Sequence, residues 1–361
     1  MKISLGMNLQ IGAWGGGNQF GHSLCNFLRK KGCQVSHDLK NPDLDIVILT
    51  EPRTNLKSSA YSHEDIINYL KYRNPTVIIV HRINECDERK GTENVNELLM
   101  EANRCADYTV FISSFLQNLF IAKGFKSSTS SVILNGGTRE IFHGTEGEKW
   151  SGNGPVNIVT HHWGDNWLKG FDIYKKLDEM LSQKKWKKLI SFTYIGHLPD
   201  GFQFKNAELI EPLNGTVLAD KIRQNHVYLT ASRNEPAGMH HIEGALCGLP
   251  LLYIESGALP EYCNGFGISF TPNNFIDKLK EMIDNYGYWV DKMPGYPHTA
   301  EKMCSEYYSI IKNLIKNREE IIAQRKLDLN PTLLERSSYH LNSIKDGMKR
   351  SAGRNIRKLI K

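Results

Sequence analysis

No two cysteines in this 361-residue sequence are spaced C-x-x-C, and the seven present, at positions 25, 33, 86, 105, 247, 263 and 304, are odd in number. Such a set implies neither a disulfide framework nor a zinc site, and it suits a reducing compartment. Long apolar runs are missing too. Residues 1–6 lead straight into a strand-like pattern, with no stretch fit for a signal peptide or a membrane span, so a cytoplasmic protein is expected. No short-period repeat and no low-complexity tract interrupts the chain. Net positive charge is absent outside the last residues: the net charge is +6, and residues 341–361 hold seven basic residues and one acid, which accounts for all of it. The near-neutral remainder lacks the spread of cations that a nucleic-acid backbone requires, and no nucleic-acid partner is expected.

What is present is the rhythm of an α/β protein. Short β-branched runs at 2–7, 45–50, 76–81, 108–113 and 131–134 alternate with helix-length amphipathic stretches. Runs such as Val77-Ile78-Ile79-Val80 carry no polar alternation, as expected of parallel strands covered on both faces. Between 142 and 155 the rhythm breaks at Gly144, Gly147, Gly152, Gly154 and Pro155, then restarts at 156–160, 189–195, 227–231, 251–254 and 268–270. The expectation is two doubly wound parallel-sheet domains, 1–150 and 151–325, facing a cleft, with a tail at 326–361. Helical sequence from 301 to 323 should pack back over both domains. In open α/β folds ligands sit outside the carboxyl ends of the strands, so function is expected in the cleft.

The most informative stretch runs from Val227 to Pro250 and reads as strand, loop, helix, stop and next strand. Pro236 suits a first helical turn, and Gly248 with Pro250 marks the end. Glu235 then stands at the helix entrance and Glu243 about two turns on, so both carboxylates can face one cleft with free backbone N–H groups between them. A helix N-terminus attracts phosphate, and carboxylates accept hydrogen bonds from sugar hydroxyls. Glu235-x7-Glu243 followed by Gly244-Ala245-Leu246-Cys247-Gly248-Leu249-Pro250 resembles the E-x7-E segment of the family-4-like retaining glycosyltransferases of the GT-B fold, which have two Rossmann-like domains. The resemblance implies that Glu235 contacts the transferring sugar, that Glu243 holds the nucleotide ribose, and that Gly238 and Met239 offer backbone N–H groups.

Further segments agree with that family. Lys169-Gly170-Phe171-Asp172 resembles its K-G-x-D segment, which implies that Lys169 binds the donor diphosphate. An arginine usual about five residues earlier is absent. His161-His162-Trp163-Gly164 occupies the stretch, where His162 is a candidate phosphate donor and the tryptophans either cover the donor or pack across the domain gap. Gly16 and Gly17, in the glycine-rich turn after the first strand, are implied to approach the donor phosphate or sugar. His81, read as ending its strand, is implied to lie beside the transferring sugar, and Arg82 to Gly91 reads as a charged loop on the acceptor side. Asn135-Gly136-Gly137 matches a turn leading out of the first domain, and Gly257-Ala258-Leu259-Pro260-Glu261 a segment beside the nucleotide.

Together these imply a retaining glycosyltransferase that takes a nucleoside-diphosphate sugar as donor and a saccharide or lipid-linked acceptor. No further cofactor or metal is expected, because no Asp-x-Asp stands where a divalent ion would be needed. An epimerase of the same architecture and a non-catalytic binding subunit stay open as alternatives. In 341–361, apolar residues recur at three- and four-residue intervals among basic ones, a pattern compatible with peripheral contact to anionic membrane on the inner face.

Overall fold

The computed structural model describes residues 1–10, 12, 15–126, 129–145, 147 and 149–330, so the basic segment 341–361 lies outside the described residues. Two six-stranded parallel sheets form the frame. In the first, β1 (Lys2–Leu5), β2 (Gln34–Ser36), β3 (Ile46–Leu49), β4 (Ile78–Ile83), β5 (Tyr108–Phe111) and β6 (Ser130–Val132) lie in the order β2-β1-β3-β4-β5-β6. Every residue of β3 and β4 is buried. At about 1.5–3 kcal/mol per buried aliphatic side chain, these runs are stable only with helices on both faces.

The second sheet holds β7 (Val156–His162), β8 (Ile190–Gly196), β9 (Glu208–Ile210), β10 (Val227–Thr230), β11 (Leu251–Ile254) and β12 (Gly267–Phe270) in the order β12-β11-β10-β7-β8-β9. The chain winds outward from β7 through β8 to β9, then crosses back to place β10 on the other side of β7. Loops leaving β7 and β10 therefore part at a topological switch point, where an α/β sheet opens a crevice. Residues 163–170 and 231–238 lie there.

The chain crosses between the sheets twice, and the crossings touch. Gly137 N donates to His298 O at 3.1 Å and Ala300 N to Gly137 O at 2.8 Å. A Cβ on Gly136 would lie 2.0 Å from the carbonyl oxygen of Thr299, so this approach is open only to glycine.

One domain limit differs from expectation. The helix Ala300–Lys316 lies on the helix Gly16–Lys30 of the first domain, with the Phe20 and Tyr307 ring centroids 5.3 Å apart. Met303, Cys304, Tyr307, Ile311 and Leu314 join the first core, so the second core ends before residue 300 and not at 325. The apolar stripe of this helix is continuous, and one continuous stripe buries best against one partner.

Candidate functional site

Beyond β10 the chain does not enter a helix at Pro236. It stays irregular until Met239, where the helix Met239–Leu246 begins behind Gly238, an extended N-cap with no side-chain cap bond. Asn234 is left-handed, at φ 48°. The carbonyl of Glu235 accepts from Ala258 N at 2.8 Å, and a Cβ on Gly257, at φ 61°, would lie 2.4 Å from Glu235 N. The neighbouring 256–258 turn thus takes the polar groups that a helical first turn would have used. Glu235 consequently stands on a loop, and its approach to Glu243 is set by that loop rather than by helical periodicity.

Glu243 meets the end of β7 and Glu235 the segment that leaves it. Glu235, 1% exposed, accepts through Oε2 from Lys169 Nζ at 2.7 Å and Ser232 Oγ at 2.8 Å, while Arg89 Nε stands 3.5 Å from Oε1. Burial alone would raise the pKa of Glu235. The charges of Lys169 and then Arg89 outweigh it and hold the carboxyl well below the ordinary range. Lys169 is lowered by burial and by Arg89, against the pull of Glu235. Glu243 Oε2 accepts from His161 Nε2 at 2.7 Å, and the Tyr228 hydroxyl, 2.9 Å from His161 Nδ1, orients that ring. The other oxygen of Glu243 is buried without a hydrogen-bond partner among the described residues. It is an acceptor open to a donor such as a hydroxyl.

His162 is differently occupied from its expected part in binding phosphate. Its Nε2 lies 2.8 Å from the Tyr174 hydroxyl, and its ring packs against His240 at 4.5 Å between centroids. Burial, then the charge of Lys169, push its pKa well below the usual histidine value, so this ring brings no positive charge. His240 is likewise lowered, first by burial, and pairs with Thr230 Oγ1 at 2.8 Å. Among the described residues the ring contacts of both tryptophans stay within the second domain: Trp163 meets His197 and Trp167 meets Phe171 and Phe202, and both residues are about half exposed.

The first domain meets this cluster at several points. At Gly16, the first residue of its helix, a Cβ would lie 2.4 Å from Met239 Cγ, so two helix N-termini face each other with only glycine fitting between. Gly17 faces open space. The second point is the 3₁₀ turn Asp87–Arg89, docked by Asn234 Nδ2 donating to Glu88 O at 3.1 Å and Asn166 Nδ2 to Lys90 O at 3.4 Å.

Two expectations in this region need correction. β4 extends through Ile83, because Arg82 and Ile83 still pair with Val110 and Phe111. His81 is therefore an interior strand residue, fully buried, with Nδ1 2.9 Å from Asn103 Oδ1. Burial pushes its pKa down to about 4, against the Asn103 bond, and it takes no part in the cluster around Glu235. Arg82 is not a loop residue either. Its guanidinium lies 3.8 Å from the Phe20 ring centroid and donates to Asn135 Oδ1 at 3.0 Å, while Asn135 Nδ2 donates to Ala237 O at 3.0 Å and so reaches the Glu235 loop.

Glu261, the last residue of the segment likened to one beside the nucleotide, accepts from Ser114 N at 2.8 Å and Ser114 Oγ at 2.7 Å, at the start of the first-domain helix Ser114–Ala122. Next to it, the Tyr262 hydroxyl donates to Ile112 O at 2.7 Å and accepts from Asn135 N at 2.7 Å. These bonds tie the domains together.

No protein-family model and no curated protein sequence matches the chain. Solved structures do match its fold. Anabaena HepE, solved with UDP and glucose, has a TM-score of 0.62 at 12% identity, over 87% of this chain and 100% of that one. A glycosyltransferase from Rickettsia africae gives 0.58 at 12% identity, over 88% and 98%. The catalytic domain of starch synthase IV from Arabidopsis thaliana, bound to ADP and acarbose, gives 0.55 at 11% identity, over 84% and 79%. The chain has the GT-B fold.

Proposed function

We propose that this protein is a glycosyltransferase that moves a hexosyl or N-acetylhexosaminyl group from a nucleoside-diphosphate sugar to an acceptor hydroxyl with retention of anomeric configuration. The observation that carries the reading is the site at the β7/β10 switch point: a helix N-terminus with no side-chain cap, a lysine beside it, and two buried carboxylates of which one keeps a free acceptor oxygen. Nucleotide-sugar neighbours of the same fold, one solved with UDP and glucose and another with ADP, support it.

In this reading the departing diphosphate is received by the N–H groups of the helix Met239–Leu246 and by Lys169, which compensate its developing charge. Glu243 accepts from the ribose hydroxyls, and Glu235, already ionised, orients the sugar. The bond from the anomeric carbon to the diphosphate oxygen breaks and a bond to the acceptor oxygen forms, with the acceptor proton leaving on the diphosphate. No metal or further cofactor is needed for these steps. The acceptor is a saccharide or a lipid-linked saccharide approaching from the first domain.

The test is a panel of uridine, guanosine and adenosine diphosphate sugars, followed by nucleoside diphosphate release with and without added saccharide acceptors, beside Glu235→Ala. Acceptor-stimulated release that Glu235→Ala lowers at least about a hundredfold supports the transferase. Turnover of the donor without any acceptor and without net release would make the protein an epimerase instead.

A further inference from the structure

We infer that Arg89, carried by the first domain, is the second diphosphate-binding cation of the second-domain site. The inference rests on the donor reading above and adds a residue that neither the motif nor the resemblance contains.

Charge matching is the first ground. A nucleoside diphosphate brings roughly two to three negative charges, whereas a helix N-terminus supplies about half a positive charge and a lysine one. A second full cation is needed near Lys169. Three histidines at the site do not provide it, since His162, His240 and His241 are held neutral, in each case chiefly by burial, and the fourth, His161, is engaged with Glu243. Arg233 is engaged with Asp172. Among the described residues, Lys169 and Arg89 are the two cations paired with Glu235.

Geometry is the second ground. Arg89 shares with Lys169 the one carboxylate of Glu235, yet its Nε is buried with no hydrogen-bond partner, 3.5 Å from Glu235 Oε1. On its other side Nη1 reaches Glu85 at only 3.3 Å. A guanidinium with loose contacts on both sides is a fork that two phosphate oxygens would fit better than either glutamate does. Its delivery is fixed, since the turn Asp87–Arg89 is docked on the second domain through Glu88 O and Lys90 O. The arginine missing from residues 161–168 is thus replaced in space by one from the opposite domain, and the diphosphate site is complete only when the domains are together.

The test is titration calorimetry of the protein and its Lys169→Ala, Arg89→Gln and Arg89→Lys variants with UDP, GDP and ADP, and separately with uridine, guanosine and adenosine. For the diphosphate that binds, Arg89→Gln should raise Kd about tenfold to a hundredfold while leaving nucleoside affinity unchanged, as expected for loss of a charge-assisted contact to phosphate. Arg89→Lys, which keeps the charge but not the fork, should lie between, and it serves as the deciding variant if Arg89→Gln does not fold. Wild-type diphosphate affinity in both Arg89 variants, or an equal loss for nucleoside and diphosphate, would overturn the assignment. If Lys169→Ala alone weakens the diphosphate, the donor reading survives and Arg89 is only an interdomain contact. Failure of all three diphosphates to bind the unaltered protein would overturn both.

Discussion

Lys169 and Glu235 show how far a residue's surroundings change its worth. A surface ion pair contributes about 0–1 kcal/mol, but removing one partner of a buried pair costs about 3–5 kcal/mol because the other charge is left unpaired. Lys169→Ala should therefore destabilise the protein by a few kcal/mol as well as weaken donor binding, with Arg89 limiting the loss. Thermal unfolding beside the binding assay measures both. Glu243→Ala should act mainly on affinity for the nucleotide, whereas Glu235→Ala should act mainly on turnover. Unchanged kinetics in both variants would remove the donor site from this helix.

The buried histidines set the response to acid. His241 is fully buried with neither ring nitrogen partnered among the described residues, and burial pushes its pKa down to about 3. Burial likewise pushes His81 and His298 down to about 4. In the unfolded chain each takes up a proton near pH 6.5. Between about pH 6.5 and these folded values the unfolded state binds more protons, so stability falls as pH falls through that window. Glu235 adds loss in the same direction only once the pH drops into the ordinary carboxyl range, where the unfolded chain begins to protonate it, and the loss grows below that range. The Tm should therefore decline between pH 6.5 and 5 through the histidines alone. His241→Phe, which keeps a ring against Tyr262 and His240, should flatten that decline, and a slope equal to that of the unaltered protein would show that this histidine does not contribute.

At the scale of elements, the helix Met239–Leu246 is placed by small residues. Alanine in a helix interior is favoured over glycine by about 1 kcal/mol, yet a Cβ on Gly244 would lie 2.2 Å from the Tyr228 ring. Overpacking a core costs about 1–3 kcal/mol, so strain wins and Gly244→Ala should lower the Tm. Because Tyr228 holds His161, and His161 holds Glu243, donor affinity should fall with it. Gly17→Ala is the contrasting case. Its Cβ meets nothing within 4 Å, so stability should change by less than about 0.5 kcal/mol. A selective loss of donor affinity in that variant would put Gly17 beside the ligand, as the resemblance implies.

For the whole molecule, the helix Ala300–Lys316 closes the first core from the far end of the chain. Truncation after residue 299 would strip five buried side chains, Met303, Cys304, Tyr307, Ile311 and Leu314, from that core. At about 1.5–3 kcal/mol each, the loss is comparable with the 5–15 kcal/mol that a domain has in total. The truncated protein should lose its first domain while the second stays folded, seen as early proteolysis of residues 1–130 with a protected fragment beginning near 150. Full protection of both parts would mean that the helix is dispensable.

Much of the fold was legible in order along the chain. Short unalternated runs rich in β-branched residues suit strands covered on both faces, and their repeated alternation with amphipathic helices points to parallel sheets. Glu235, Glu243 and Lys169 were singled out because their segments resemble the family's E-x7-E and K-G-x-D motifs; the local pattern of strand end, loop and helix start by itself said only where a ligand could sit. Partners distant in sequence were not legible. Arg89 has no motif, and its meeting with Glu235 depends on how two domains close. His81 was read as a strand end because an imidazole interrupts an aliphatic run, but pairing with β5 carries the strand past it, and burial beside Asn103 neutralises the ring. Local sequence thus determined the elements and which edge of each sheet bears polar groups, since propensity and periodicity act over neighbouring residues. The domain closure, the return of 300–316 to the first core and the sharing of Glu235 between two cations were decided by tertiary structure alone, because burial and charge pairing act between residues that only the folded chain brings together.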